Sequence, residues 1–257
     1  MKEILLLILI GPLFLSQNFQ TKDSLKILAK SNFKSMEIFE YESGKLESKR
    51  KYFYNKSSNE ITIVNVSDKN KEWLKTIVRL DQDYNIKEEE KIVEGTAISE
   101  KENILVKKQL SMIRRYYSTI NTCEIETYDS NGKLSKKEFR LLNDDNQIIE
   151  NIVLLNIPNN IVISEVHRYY WINKKSYKYE KLTFNAPKSK IIGVYRLNQY
   201  GDIESFKGNL YINNTQEDAS FDFDKKIKKF DSKGNLIQVY KIDNKVQTLI
   251  EERKIIY

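Results

Sequence analysis

Cysteine and histidine are almost absent from this chain, which has one of each among 257 residues. A single cysteine excludes an internal disulfide framework, and one histidine with one cysteine excludes a zinc site built from these residue types. The one Cys-His pair available for nucleophilic catalysis is Cys123 with His167. The chain also lacks a glycine-rich phosphate loop and a Gly-x-Ser-x-Gly element, so the sequence motifs of most hydrolases are absent. The sequence therefore predicts no metal site and no cofactor.

Alanine is scarce, with four residues, whereas the residue types that favour strands are abundant. The chain has 32 Ile, 11 Val and 10 Thr, together with 16 Tyr, 11 Phe and 2 Trp. β-Branched and aromatic side chains suit the pleated, half-buried surface of a sheet, whereas alanine is the best helix former. An aromatic content of 11% also excludes a disordered chain. The composition thus predicts a folded protein that is rich in β structure.

The first residues have the form of an export signal. An uncharged run from Ile4 to Leu15 is followed by the polar stretch Ser16-Gln17-Asn18. The apolar run is about twelve residues long, whereas a membrane-spanning helix needs roughly twenty. We therefore predict that residues 1–17 are a signal peptide and that this signal is the chain's one contact with a membrane. The protein is then exported, to the periplasm, the cell surface or the medium.

The net charge of +7 is modest and is spread along the chain. Lysines outnumber arginines by 35 to 8. Bidentate contacts to phosphates and base edges use the planar guanidinium group of arginine, which is scarce here. Lysines on strand faces and edges also discourage pairing between sheets. The charge pattern therefore predicts no nucleic-acid partner.

A seven-residue unit recurs along the chain. It consists of an aromatic residue or Leu, then Asp or Asn, two variable positions, Gly or a substitute, one variable position, and Ile or Leu. Copies occur at 80–86, 128–134, 142–148, 197–203 and 230–236, and a copy one residue shorter occurs at 41–46. The Asp or Asn side chain accepts hydrogen bonds from the backbone ahead of it, and Gly tolerates the left-handed conformation that closes a type I turn with a bulge. Each copy is predicted to reverse one strand into the next.

The copy Tyr128-Asp129, followed by Gly132, Lys133 and Leu134, resembles the YD repeats of RHS-type secreted bacterial proteins. The similarity covers about a third of the chain and concerns the turn alone. The copies here have no fixed period, and Lys, Asp or Asn stands where the family usually has Arg. In that family the repeats build a wall of β-sheet, and the resemblance implies the same kind of architecture for this chain.

These signals together predict an all-β fold, an antiparallel meander of hairpins that forms an extended or strongly curved sheet. Residues 18–257 are predicted to be a single β-rich domain. A short N-terminal helix is predicted over residues 24–33, capped by Asp23 or Ser24, with Leu25, Leu28 and Ala29 on one side. Residues 99–117 fit both a helical and a strand pattern, and we predict mostly strand.

The densest aromatic region runs from Val166 to Leu182, and its pattern predicts a hairpin. The predicted register places Ile172 opposite Tyr177 and Tyr170 opposite Tyr179, which gives one apolar face. The other face would then present Tyr169 and Trp171 to a sugar ring or to another protein. Lys178 and Glu180 would fix the orientation of this ligand through hydrogen bonds. The candidate ligand-binding residues are therefore Tyr169, Trp171, Lys178 and Glu180.

The absence of catalytic motifs favours a non-enzymatic exported protein, a surface or periplasmic binding or scaffold module with a protein or a glycan as its partner. Two alternatives stay open at this point. A periplasmic carrier of an apolar ligand would enclose a sealed apolar cavity lined by alternate strand residues. A glycosidase that uses carboxylates alone would hold two acidic residues about 5 to 9.5 Å apart in a cleft.

Overall fold

A computed structural model describes residues 25–66, 72–98, 103–157, 160–185, 188–212 and 215–257. These residues form a 17-stranded antiparallel meander sheet and one short helix, α1, at residues 25–30. The all-β meander that the sequence predicts is confirmed. No helix in the described ranges is long and apolar enough to cross a membrane. The predicted signal peptide, residues 1–17, and the predicted helix cap at Asp23 or Ser24 lie outside the described residues.

The strands are 6 to 16 residues long, and β-branched and aromatic side chains favour their conformation. Their bounds are β1 (Ser35–Glu42), β2 (Lys45–Asn55), β3 (Glu60–Val66), β4 (Glu72–Leu80), β5 (Ile86–Ile98), β6 (Asn103–Ser118), β7 (Thr122–Tyr128), β8 (Leu134–Leu142), β9 (Ile148–Ile157), β10 (Asn160–Asn173), β11 (Ser176–Thr183), β12 (Ser189–Leu197), β13 (Ile203–Ile212), β14 (Thr215–Asp222), β15 (Lys225–Phe230), β16 (Leu236–Asp243) and β17 (Val246–Ile256). The ambiguous stretch 99–117 lies mostly in β6, so the strand prediction holds there.

The chain divides into two compact units. Unit 1 comprises the described residues among 1–87, 91–109 and 224–257, and unit 2 comprises residues 88–90 and 110–223. The sequence-based prediction treats residues 18–257 as one domain, and no shift in composition marks this division. Both units are built from antiparallel hairpins.

In unit 1 the first strand, β1, pairs with the last strand, β17. Strand β1 pairs with β2 on one side and with β17 on the other, while β2 continues to β3 and β4 and β17 continues to β16 and β15. Helix α1 buries Leu25, Leu28 and Ala29, the three residues predicted to share its apolar side. Phe33, which follows the helix, is buried and stacks on Tyr54 with ring centroids 5.6 Å apart. This packing attaches the N-terminal segment to the sheet.

Five hairpin connections have the turn that the repeated unit predicts. In the copy at 128–134, the N–H of Gly132 donates to the Asp129 carbonyl at 3.0 Å. Asp129 Oδ1 also accepts from the N–H groups of Asn131 and Lys133, each at 2.9 Å. The same bonds form around Asp81, Asn143, Asn198 and Asp231. The residue three places further on has a positive φ in all five turns: Tyr84, Gly132, Asn146, Gly201 and Gly234. The predicted turn chemistry is therefore confirmed.

Unit 2 is a consecutive meander from the end of β6 to β14, each strand pairing with the next. One face of this sheet is buried, and we call it the buried face. It carries the fully buried Tyr179, Tyr195, Phe206, Ile191 and Leu210. The opposite face carries half-exposed side chains, and the candidate site is built on these two faces.

Candidate functional site

The hairpin of β10 and β11 carries the four candidate ligand-binding residues: Tyr169, Trp171, Lys178 and Glu180. The register predicted for this hairpin is wrong. Tyr169 lies opposite Tyr179, and Trp171 lies opposite Tyr177. Tyr169 and Trp171 therefore share the buried face with these two tyrosines. Lys178 and Glu180 lie on the other face, so the structure does not bring the four candidates together on one surface.

The error in register has one cause, a β-bulge beside the turn. Trp171 pairs with Tyr177 and Asn173 pairs with Ser176, so Ile172 is an extra residue in β10. Because side chains alternate between the faces of a strand, one extra residue exchanges the two faces of β10 relative to β11. Ile172, which was expected on the apolar face, is instead 62% exposed.

Tyr169 and Trp171 belong to an aromatic cluster on the buried face. Tyr169 is buried, with its ring centroid 5.2 Å from that of Tyr179. Trp171 is half-buried, and its ring lies 4.7 Å from that of Tyr177. Its indole Nε1–H donates to the carbonyl of Ile148 at 2.9 Å. These contacts give both residues a packing role, which is the usual role of cross-strand aromatic pairs.

Lys178 and Glu180 point away from the aromatic cluster. Lys178 is exposed. Glu180 forms ion pairs with Lys190 at 3.0 Å and with Arg168 at 3.6 Å. The hydrogen bond from Lys190 lowers the pKa of Glu180. Glu180 is thus an ionised residue that links three neighbouring strands.

An open groove of about 580 Å³ lies at the end of β8, β9 and β10. Its lining residues are Leu141, Asn143, Ile149, Glu150, Arg168, Tyr169, Tyr170 and Trp171. Tyr170 is 51% exposed, so part of its ring is available to a ligand. Arg168 Nε donates to Glu150 Oε1 at 3.1 Å, which holds a guanidinium and a carboxylate beside the ring. The groove combines aromatic surface with a small number of polar groups, as binding sites do.

The buried face also carries a row of polar side chains in register across four strands. Arg140 pairs with Asn151, Asn151 with His167, and His167 with Lys181. Their exposures are 7%, 0%, 1% and 6% in chain order. We call these four residues the buried polar row. Such side chains are rarely buried unless they are paired, so the row marks a constrained part of the fold.

Two glutamates neutralise the cations of this row. Glu138 accepts from Arg140 at 2.8 Å and from Lys136 at 2.7 Å. Glu165 accepts from Lys181 at 2.8 Å and contacts His167 Nε2 at 2.9 Å. Burial alone would raise the pKa of each carboxyl group, but the neighbouring cations and hydrogen bonds outweigh it and lower the pKa of both to about 2. Both carboxyl groups are therefore ionised at neutral pH.

The surroundings of His167 determine its tautomer. Burial lowers its pKa, so the imidazole is neutral at pH 7. Because Glu165 is ionised and accepts hydrogen bonds only, His167 Nε2 carries the proton and donates to it. His167 Nδ1 then accepts from the Tyr179 hydroxyl at 2.7 Å. The ring is held between two partners and is closed to a substrate.

We expect the free energy of unfolding to fall as the pH is lowered from 7 to 5. The unfolded chain binds a proton at His167 near pH 6.5, whereas burial lowers the pKa of His167 in the folded protein. The unfolded state thus binds more protons below pH 6.5, and stability declines. A second decline follows below pH 4.5, where the unfolded Glu138 and Glu165 take up protons that the folded protein binds only near pH 2.

Urea denaturation across this pH range measures both declines. His167 is the one histidine in the sequence, so His167→Gln should remove the decline between pH 7 and 5 and leave the one below pH 4.5. NMR titration of the His167 ring in the wild-type protein gives its pKa directly. A folded-state pKa at or above 6.5 would contradict this prediction.

Cys123 and His167 do not form a catalytic pair. Cys123 lies opposite Arg140 on β8, which is two strands from His167 on β10. Three strand spacings separate the two residues, roughly 14 Å at about 4.8 Å each. Cys123 is half-buried, and its Sγ accepts from the Ser118 hydroxyl at 3.4 Å. The dyad considered from the sequence is thus excluded.

Sequence reasoning missed the buried polar row and the part that Tyr170 has in the groove. Arg140, Asn151 and Lys181 each stand on a different strand, and nothing in the sequence states which residues pair across strands. In β11 the series of Tyr177 and Tyr179 at alternate positions continues with Lys181, which is a signal that this lysine shares the buried face. In β8 the alternation of Phe139 and Leu141 gives the wrong face, because both of these residues are exposed and Arg140 between them is buried. A charged residue at an inward position predicts a buried partner of opposite charge.

Comparisons with known proteins identify no relative by sequence: no protein family matches the chain, and no curated protein matches it. Among solved structures, a porin-like protein from Bacteroides uniformis aligns over 87% of this chain and 97% of its own, with 9% identity and a TM-score of 0.37. A protein of unknown function from Bacteroides fragilis aligns over 53% of this chain and 93% of its own, with 14% identity and a TM-score of 0.29. TM-scores of this size carry no argument about function.

Proposed function

We propose that the protein is an exported, non-enzymatic binding module that recognises a glycan in the groove of unit 2. The observation that carries the proposal is the half-exposed ring of Tyr170 beside the ion pair of Arg168 and Glu150. An aromatic ring packs on the apolar face of a sugar, and the carboxylate and guanidinium hydrogen bond its hydroxyl groups. The proposal of export rests on the apolar N-terminal segment.

The state of the buried acids supports a non-enzymatic function. A glycosidase needs one carboxyl group that stays protonated near neutral pH, and this requires a raised pKa. Glu138 and Glu165 instead have a pKa lowered to about 2. Each is also held by two basic side chains, so neither is free to donate a proton.

The buried face also disfavours the carrier of an apolar ligand. Such a carrier would line its interior with apolar side chains at alternate positions. The buried polar row places four polar side chains at such positions on β8 to β11. An apolar ligand against this row would desolvate charged groups, which is costly.

The test compares Tyr170→Ala with Ile172→Ala on an array of immobilised oligosaccharides. Both side chains are exposed and lie on the same strand, but Ile172 does not line the groove. For the glycan that the wild-type protein binds, Tyr170→Ala should weaken binding by about 2 kcal/mol, the size of a contact that dominates an interface. Ile172→Ala should bind as the wild type does. No bound glycan, or equal binding by wild type and Tyr170→Ala, would refute the proposal.

A further inference from the structure

Asn151 lies at the centre of the buried polar row, yet its side chain has no hydrogen-bond partner among the described residues. The residue is 0% exposed, and neither Nδ2 nor Oδ1 forms a hydrogen bond with any described residue. A buried amide without partners costs free energy, and buried polar groups almost always bind something. Asn151 therefore needs a partner that the described part of the chain does not supply.

The histidine opposite Asn151 has both ring nitrogens committed to other residues. His167, directly opposite on β10, uses Nδ1 for Tyr179 and Nε2 for Glu165. Arg140, directly opposite on β8, donates to Glu138. If Asn151 changed its rotamer, its Nδ2 would therefore still find no free acceptor on His167.

A second buried group without a partner lies on the same face. The hydroxyl of Tyr169 forms no hydrogen bond with a described residue, and Tyr169 is two residues from His167 along β10. Tyr169 is close enough to Arg140, Glu138 and Glu165 for their charges to act on its hydroxyl. The amide and the phenol therefore face the same polar region of unit 2.

We propose that this region is a binding site for a hydroxyl group, supplied either by an ordered water molecule or by a small hydroxylated solute. The amide offers two N–H donors on Nδ2 and the acceptor Oδ1, and a hydroxyl oxygen can accept from Nδ2 while its own proton is donated to Oδ1. A charged guest fits less well because the cations Arg140 and Lys181 are already neutralised by Glu138 and Glu165. Tyr169 also lines the groove in which the glycan is proposed to bind, whereas Asn151 does not.

Two measurements on the wild-type protein identify the guest. In NMR, the side-chain amide protons of Asn151 should give a cross-peak at the water frequency if water is bound. If a solute from the producing cell is bound instead, native mass spectrometry should show a mass excess that Asn151→Leu lacks. A spectrum without a water cross-peak, in a protein without a mass excess, would overturn the proposal even if Asn151→Leu does not fold.

The direction of the stability change in Asn151→Leu gives an independent test. If a hydroxyl group satisfies the amide, leucine removes its hydrogen bonds, and the denaturation midpoint should fall, with about a tenfold increase in the unfolding equilibrium constant. If the amide has no partner, leucine of similar size removes an unsatisfied group, and the midpoint should rise. A raised midpoint would contradict the proposal.

A double-mutant cycle tests whether one guest binds both groups. Tyr169→Phe removes the hydroxyl and keeps the ring, so its effect should depend on whether Asn151 is present. Tyr195→Phe is the matched control, because the Tyr195 hydroxyl is also buried and unpartnered among described residues but lies on β12, three strands from Asn151 on β9. Its effect should be independent of Asn151. Equal coupling for the two tyrosines would contradict a shared guest.

Discussion

Arg140→Met is expected to lower the free energy of unfolding by about 3–5 kcal/mol, the usual result of removing one partner of a buried ion pair. Arg140 and Glu138 are both less than a tenth exposed, and their side chains are 2.8 Å apart. Methionine fills a similar volume but leaves the Glu138 carboxylate in the protein interior with Lys136 alone. Urea denaturation at pH 7 measures the loss.

A double variant separates the cost of the unpaired charge from the cost of lost packing. Glu138→Leu combined with Arg140→Met removes both charges, and replacing a buried ion pair by apolar residues is often nearly neutral. We expect this variant to be clearly more stable than Arg140→Met. The deficit of Arg140→Met should also shrink near pH 4, because Glu138 without Arg140 takes up a proton more easily. A double variant less stable than Arg140→Met would contradict the role given to the pair.

Tyr179→Ala is expected to cost about 3–5 kcal/mol of stability, the range for truncation of a large buried aromatic residue. The Tyr179 side chain is fully buried. Its ring lies 5.2 Å from that of Tyr169 and 5.4 Å from that of Tyr195, and its hydroxyl donates to His167. Alanine would leave a cavity between three strands and an imidazole nitrogen without a donor.

Two further substitutions divide this loss into its parts. Tyr179→Phe keeps the ring and removes the hydrogen bond to His167, and should cost about 1 to 3 kcal/mol because a buried acceptor is left unsatisfied. Tyr170→Ala is the exposed control on the neighbouring strand and should change the denaturation midpoint little. A small loss for Tyr179→Ala would show that the aromatic cluster is not the core of unit 2.

The turns could be predicted from the sequence because their chemistry is local. Asp129 and Gly132 are three residues apart, and the bonds that define their turn involve neighbouring backbone groups alone. The strand composition and the alternation of apolar residues are also local signals, so the antiparallel meander followed from them. The apolar side of α1 could be predicted for the same reason, since Leu25, Leu28 and Ala29 lie within two helical turns.

Two glycines show where local reasoning ends. The sequence explains Gly132 and Gly234 as turn residues, but Gly193 and Gly208 stand inside β12 and β13, directly opposite each other. A Cβ at Gly193 would lie 2.4 Å from the Phe206 ring, and one at Gly208 would lie 2.2 Å from the Ile192 carbonyl oxygen. Their need for glycine comes from a neighbouring strand, which no local pattern reveals.

The register of the β10–β11 hairpin and the buried polar row were decided by the tertiary structure alone. The sequence identified the aromatic hairpin, but the bulge at Ile172 determined which of its side chains are buried. Arg140, Asn151 and His167 come from three strands and lie side by side only after each strand takes its register. A shift of one residue reverses the faces of a strand, and the free energy that selects the register comes from contacts between residues distant in the chain. The sequence by itself therefore determined the strands and turns, and long-range packing determined which side chains meet.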